Sequence, residues 1–255
     1  MDLKLKGRKA LITGGSKGIG FSIAQFLSDE GCPVVLIARS ESDLAAAKSK
    51  LKNAATHAMD LSQRGKPAEL AKMHPDVDIL VNNAGSTPRG TLLEVDEDRF
   101  RQAFDLKVFG YINMCREFYR LMQARRRGVI INILGNGGEA PDAGYIAGAA
   151  CNASLMAFTR ALGGQSDRDG VRVVGVNPGP VATERLVGLM KTEAKRKFGD
   201  ESRWGELASG FPFGRAATVE EIGATVALLA SDLSSYTTGT VVTIDGGMVN
   251  RGSLI

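Results

Sequence analysis

Cysteine is scarce and unpatterned in this chain: three residues in 255, Cys32, Cys115 and Cys151, with no C-x-x-C spacing among them. Neither a disulfide framework nor a cysteine-built metal site is indicated. Histidine is scarcer, with only His57 and His74, and neither has ligand-like neighbours in sequence, so no metal is expected. No apolar run reaches the ~20 residues that a membrane-spanning helix needs. No basic-then-apolar leader follows Met1, and a soluble, cytoplasmic protein is expected. There is no internal repeat, and no Pro/Gly/Ser linker divides the chain. A single domain over 1–255 is expected, burying about three quarters of its unfolded surface. The net charge is +4, but the dense basic cluster Arg125-Arg126-Arg127 stands just before Gly128, where cations favour a helix C-terminus. It is read as a solvated helix end and not as a nucleic-acid surface.

What the chain does have is alternation. Short apolar runs at Ala10–Thr13, Val34–Ala38, Ile79–Asn82, Val129–Ile133, Val171–Val176 and Val241–Asp245 read as strands. Amphipathic segments near 18–30, 41–52, 97–124, 144–169 and 218–230 read as helices between them. Such alternation implies βαβ units with right-handed crossovers, hence an α/β fold with a parallel sheet covered on both faces. The stretch 184–213 is charged, holds the only tryptophan, Trp204, and has no strand pattern; it is read either as a flap over a substrate pocket or as a plain surface excursion.

The first strand runs into Thr13-Gly14-Gly15-Ser16-Lys17-Gly18-Ile19-Gly20, and a helix follows. Glycines allow a tight turn and close backbone approach to a pyrophosphate, which then lies at the positive end of the helix. Between a strand and a helix of the first βαβ unit, this pattern predicts a dinucleotide site. The second strand ends at Ala38, where NAD-selective folds carry a carboxylate for the ribose hydroxyls. Arg39 comes next and Lys17 lies in the loop, two cations able to hold a 2′-phosphate. NADP(H) is therefore expected in preference to NAD.

Together these segments resemble the short-chain dehydrogenase/reductase family over essentially the whole chain. Thr13-Gly14-x-x-x-Gly18-Ile19-Gly20 is similar to the family's cofactor loop, with Ser16 and Lys17 inside it. Asp60-Leu61 resembles its adenine-contacting pair, and Asn82-Asn83-Ala84-Gly85 its N-N-A-G turn. Pro178-Gly179, with Val181 and Thr183, resembles the segment that receives the nicotinamide carboxamide. Thr238-Gly239 and Asp245-Gly246-Gly247 resemble its C-terminal signature. The resemblance implies a Rossmann-like doubly wound sheet of about seven strands. It also implies hydride transfer between nicotinamide and a carbonyl or alcohol, with Tyr145 exchanging the proton. A homodimer or homotetramer is implied too, formed through the two long helices and a C-terminal strand edge.

Three positions depart from the family pattern. The lysine expected four residues after Tyr145 is Ala149, the serine after the fifth strand is Gly135 or Asn136, and the helical asparagine is Lys107. A phenol has a pKa near 10, so its ionisation near neutrality needs a neighbouring cation. One reading relocates that cation: Lys107 reaches toward Ala149, favours the Tyr145 phenolate and contacts the nicotinamide ribose, while Asn136 bonds the carbonyl. The other has Lys107 drawn to solvent or to Asp105. Tyr111, one helical turn beyond Lys107, is expected at a subunit interface. The function classes that follow are an NADP(H)-dependent carbonyl reductase or alcohol dehydrogenase, a cofactor-binding sensor or scaffold, or a non-redox isomerase or dehydratase in the same pocket.

Overall fold

The computed structural model describes residues 2–251. Along the chain run β1 (Ala10–Thr13), α1 (Gly18–Asp29), β2 (Val34–Ala38), α2 (Glu41–Lys48), β3 (Ala54–Ala58), α3 (Lys66–Met73), β4 (Ile79–Asn82), α4 (Glu97–Ala103), α5 (Gly110–Arg125), β5 (Gly128–Ile133), α6 (Ile146–Gly163), β6 (Val171–Pro178), α7 (Glu184–Phe198), α8 (Trp204–Leu207), α9 (Val219–Ala230) and β7 (Val241–Ile244). The strands form a single parallel sheet of seven, in the order β3-β2-β1-β4-β5-β6-β7. The expected doubly wound α/β fold is the one observed.

β1, β4 and β5 are buried at every residue, because a parallel sheet must be covered on both faces. One face packs Ile23 and Leu27 of α1, Leu44 of α2 and Ile222 and Val226 of α9 against the strands. The other packs Leu70 of α3 and Met114, Phe118 and Met122 of α5. β3 was not among the six strand segments read from the sequence. Its residues, Ala-Ala-Thr-His-Ala, pair with β2 from Val34↔Ala54 to Ala38↔Ala58, yet form an edge that is nowhere fully buried and so has no apolar run.

The segment expected as one helix over 97–124 is interrupted. Phe104–Phe109 winds more widely, as a π-helical turn between α4 and α5, and Lys107 and Val108 are buried there. The basic cluster falls where expected: α5 ends at Arg125, and Arg126 is its cap, with φ 52. No helix among the described residues is long and apolar enough to cross a membrane. The two histidines, distant in sequence, meet with their Nε2 atoms 2.9 Å apart, but no metal-ligating group of three or more exists among the described residues.

Candidate active site

The chain leaves β1 for β2 and β3 and returns as β4 on the opposite side of β1. Beyond the carboxyl ends of β1 and β4 this reversal opens a crevice, the usual ligand position in doubly wound sheets. Gly14 and Gly18 turn the loop there with φ of 64 and 57, values that side chains disfavour. A Cβ on Gly20 would collide with the Gly14 carbonyl, and one on Gly14 would lie 2.9 Å from Asn83 Nδ2. Lys17 caps α1 without any side-chain bond to its N–H groups. These free donors at a helix start form a cradle that fits a pyrophosphate.

The N-N-A-G turn is laced to this loop. Thr13 Oγ1 accepts from Asn83 N at 2.9 Å and Ala84 N at 3.0 Å, while Asn83 Nδ2 donates to Thr13 O at 3.1 Å and Gly14 O at 3.2 Å. A cavity of about 310 Å³ continues from Gly14, Ser16 and Lys17 past Arg39, Asp60, Leu61 and Gly85. Asp60 accepts from Ser62 N and Oγ at 3.0 and 2.8 Å, and the Ser62 bond is the main cause that holds its carboxyl below the ordinary range. Lys17 Nζ lies 3.1 Å from Asp43 at the surface, whereas Arg39 makes no ion pair among the described residues. Thr183 caps α7 by accepting from Leu186 N, and its Cγ2 would stand 3.3 Å from a Cβ on Gly18. Val181 bridges to Ala217, and Gly179 N donates to Ile244 O at 3.0 Å, which fixes the segment after Pro178. Of the expected cofactor residues, Gly14, Ser16, Lys17, Arg39, Asp60, Leu61, Asn83, Ala84 and Gly85 line this cavity, while Pro178, Gly179, Val181 and Thr183 lie outside its lining.

Tyr145 is the cap of α6, outside the helix with φ −138 and ψ 37. From there its ring doubles back over the first turn: a Cβ on Gly148 would fall inside the ring, nearest Cζ. The Tyr145 hydroxyl shares a short hydrogen bond with Thr87 Oγ1. Thr87, which the sequence reading did not single out, is 3% exposed and lies on the loop after the N-N-A-G turn. Arg89 Cζ is 5.8 Å from the Tyr145 ring centroid. Arg185 Nη2 donates to Thr87 O at 3.1 Å.

Lys107 goes neither to solvent nor to Asp105. It is 8% exposed, and its Nζ donates to Leu134 O at 3.1 Å, with the stem against Gly85. Burial pulls its pKa down to about 8; Cys151 nearby opposes this and Arg185 adds to it. No hydrogen bond joins Lys107 to Tyr145 among the described residues. Asn136 turns its amide to Met248 Sδ at 3.4 Å. The amide beside Gly135 is that of Asn152, whose Nδ2 would lie 2.9 Å from a Cβ there. Asn152 is 2% exposed, and its Oδ1 has no partner. Tyr111 is not the expected interface residue: it is 2% exposed within this one chain, donates to Ile133 O at 2.9 Å, and burial pushes its pKa far up.

Comparison with known proteins agrees with the fold. Residues 14–249 match the family described as enoyl-(acyl carrier protein) reductase. The 3-oxoacyl-(acyl-carrier-protein) reductase FabG of Chlamydia muridarum is 30% identical, covering 97% of this chain and 100% of the relative. The protein of the same name from Vibrio cholerae is 32% identical, covering 96% and 99%. Among solved structures, a short chain dehydrogenase/reductase family protein superposes with TM-score 0.86 at 34% identity, covering 98% of this chain and 100% of that one. L-sorbose reductase from Gluconobacter frateurii, complexed with NADPH and L-sorbose, does so with TM-score 0.92 at 28% identity, covering 99% and 100%.

Proposed function

The chain belongs to the short-chain dehydrogenase/reductase family of oxidoreductases, and from that premise we propose that it is an NADP(H)-dependent reductase of carbonyls, or dehydrogenase of the matching alcohols, with Tyr145 as proton donor and acceptor. The observation that carries the reading is the Tyr145 hydroxyl held by Thr87 beside the dinucleotide cradle. Solved neighbours described as NADPH complexes or NADPH-dependent reductases support the choice of cofactor.

NADPH, when bound, supplies the hydride. The protein's part begins with holding it: Gly14 to Gly20 for the pyrophosphate, Asp60 and Leu61 for the adenine, Asn83, Ala84 and Gly85 along the ribose, and Pro178 to Thr183 for the carboxamide. Arg39, with Lys17, holds the 2′-phosphate. Tyr145 then gives its phenolic proton to the carbonyl oxygen as the carbon becomes an alcohol, and Thr87 keeps the hydroxyl aimed. Tyr145 works from the edge of α6 over the room left by Gly148. Asn152, four residues after Gly148, is buried beside Gly135 with its Oδ1 unpartnered. The Lys107 ammonium, buried and bonded to the Leu134 carbonyl, is the cation assigned to the reacting end. Asn136 remains a candidate for the substrate carbonyl only if its amide leaves Met248. α7 and the turns to 213 form the flap over the pocket.

The test is NADPH oxidation by purified protein across a panel of ketones and quinones. Turnover supports the reading; tight NADPH binding with no carbonyl reduced turns it toward a sensor. Arg39→Ala is expected to weaken NADPH by roughly tenfold to a hundredfold, the range for bonds to a charged group, and NADH far less. Equal weakening of both would remove the 2′-phosphate assignment.

Lys107 adds a pH dependence. Its ammonium form is the active one, and its pKa lies at about 8, so the rate is expected to fall as pH rises through that value. In Lys107→Met that alkaline limb disappears, which a pH–rate profile measures. For stability the sign is opposite. A lysine whose pKa is depressed on folding contributes stability that is present above its unfolded value, near 10.4, and lost as pH falls toward 8.

A further inference from the structure

A second cavity, of about 640 Å³, adjoins the Tyr145–Thr87 pair and carries more positive than negative charge. Arg39, Arg89, Arg99 and Arg185 line it, against Asp60 and Asp105. Arg39 and Asp60 belong to the cofactor wall, and Asp60 is already engaged by Ser62. The rest of the lining then holds three arginines and one carboxylate. None of the three makes an ion pair among the described residues, although the other arginines nearby on α4 and α7, Arg101 and Arg196, are both paired with glutamates.

Two of them converge on the proposed proton donor from different elements. Arg89 comes from the loop after β4 and lies over the Tyr145 ring at 5.8 Å. Arg185 comes from the first turn of α7, bonds the Thr87 carbonyl at 3.1 Å, and is close enough for its charge to depress the Lys107 pKa. An arginine with spare donors presents a planar fork that matches an oxyanion in two-point fashion. Two such forks in one cavity beside the acid are a costly concentration of like charge unless an anion joins them.

We infer that the substrate carries an anionic group, a carboxylate or a phosphate, which Arg89 and Arg185 grip while its carbonyl faces Tyr145. The inference rests on the reductase reading only for the placing of the carbonyl. An anion so held both selects the substrate and fixes the distance from its charged end to the reacting carbon.

Charged and neutral partners of one carbon skeleton test it. NADPH-loaded protein is titrated by calorimetry with 2-oxobutyrate, acetoacetate and 4-oxopentanoate, each beside its methyl ester, and with dihydroxyacetone phosphate beside dihydroxyacetone; NADPH oxidation is followed in parallel. At least one charged member is expected to bind roughly tenfold or more tighter than its neutral partner, and whether it is an acid or the phosphate identifies the group. Arg185→Ala and Arg89→Ala are each expected to remove most of that preference, and Arg185→Lys to keep part of it, since charge survives but the fork is lost. Charged and neutral members binding alike throughout would overturn the inference, as would a preference that survives both alanine variants. So would loss of NADPH affinity in Arg185→Ala with the preference intact, which would assign Arg185 to the cofactor's own phosphates. Preferential anion binding without any reduction leaves the inference standing and sinks the reductase reading; reduction of neutral ketones without preference does the reverse.

Discussion

Tyr145→Phe is expected to lower kcat for carbonyl reduction by about 10²–10⁴-fold, the usual contribution of a positioned general acid, while the protein still binds NADPH. The substitution deletes one oxygen and keeps the ring that packs over Gly148, so a loss of rate cannot be ascribed to a collapsed site. The hydroxyl's bond partner is Thr87, and removing the proton leaves the transferring hydride without a matched protonation of the carbonyl oxygen. Steady-state kinetics on any ketone that the wild type reduces decides the matter. An unchanged kcat would mean that another group, or water, supplies the proton.

The second large effect belongs to a residue without a side chain. Gly148→Ala places a methyl group inside the space of the Tyr145 ring, and no real Cβ tolerates such an approach, so the ring must swing away from Thr87. The rate is expected to fall by the same order as in Tyr145→Phe, and the double variant by little more than either alone, because both disable one acid. Stability should move differently. Replacing a helical glycine by alanine favours the helix by roughly 0.5–1 kcal/mol, which offsets part of the lost ring packing. A variant that melts near the wild-type temperature yet has lost its rate is the expected outcome. Full activity in Gly148→Ala would show that the ring's place over the helix is immaterial to turnover.

Six of the seven strands, the helices other than α3, α7 and α8, and the glycine loop were legible in the sequence because each leaves a local mark: continuous apolar strands, an apolar stripe, glycines where the backbone turns tightly. β3 left none, since an edge of alanine, threonine and histidine is shaped by its neighbour β2 and not by its own residues. The active-site positions were legible as chemical types but not as geometry. Ala149 does stand one turn beyond Tyr145, its N–H donating to the Tyr145 carbonyl at 2.9 Å, but the tyrosine ring lies over Gly148, and the side chain that meets the loop after β5 is that of Asn152. For Lys107 the sequence left both an inward cation and one drawn to solvent or Asp105 open; it is inward, and its partner is the Leu134 carbonyl, a backbone atom that no side-chain pattern can announce. Thr87, Arg89 and Arg185 lie on loops or at a helix start, where no periodicity marks a residue; the gathering of these arginines around one cavity is a property of the fold alone.

The π-helical turn at Phe104–Phe109 has a bearing on how this protein can change. A turn of that kind holds one residue more than an α-helical turn, so it acts as a slip joint between α4, which borders the anion pocket through Arg99, and α5, which lays Met114, Phe118 and Met122 on the sheet. Variation in α4 can alter the pocket's rim without rotating the core side chains of α5, and a single-residue deletion within the joint would restore ordinary winding and carry Lys107 about a quarter-turn off its carbonyl. Specificity and folding are thereby inherited on two segments of what the sequence presents as a single helix.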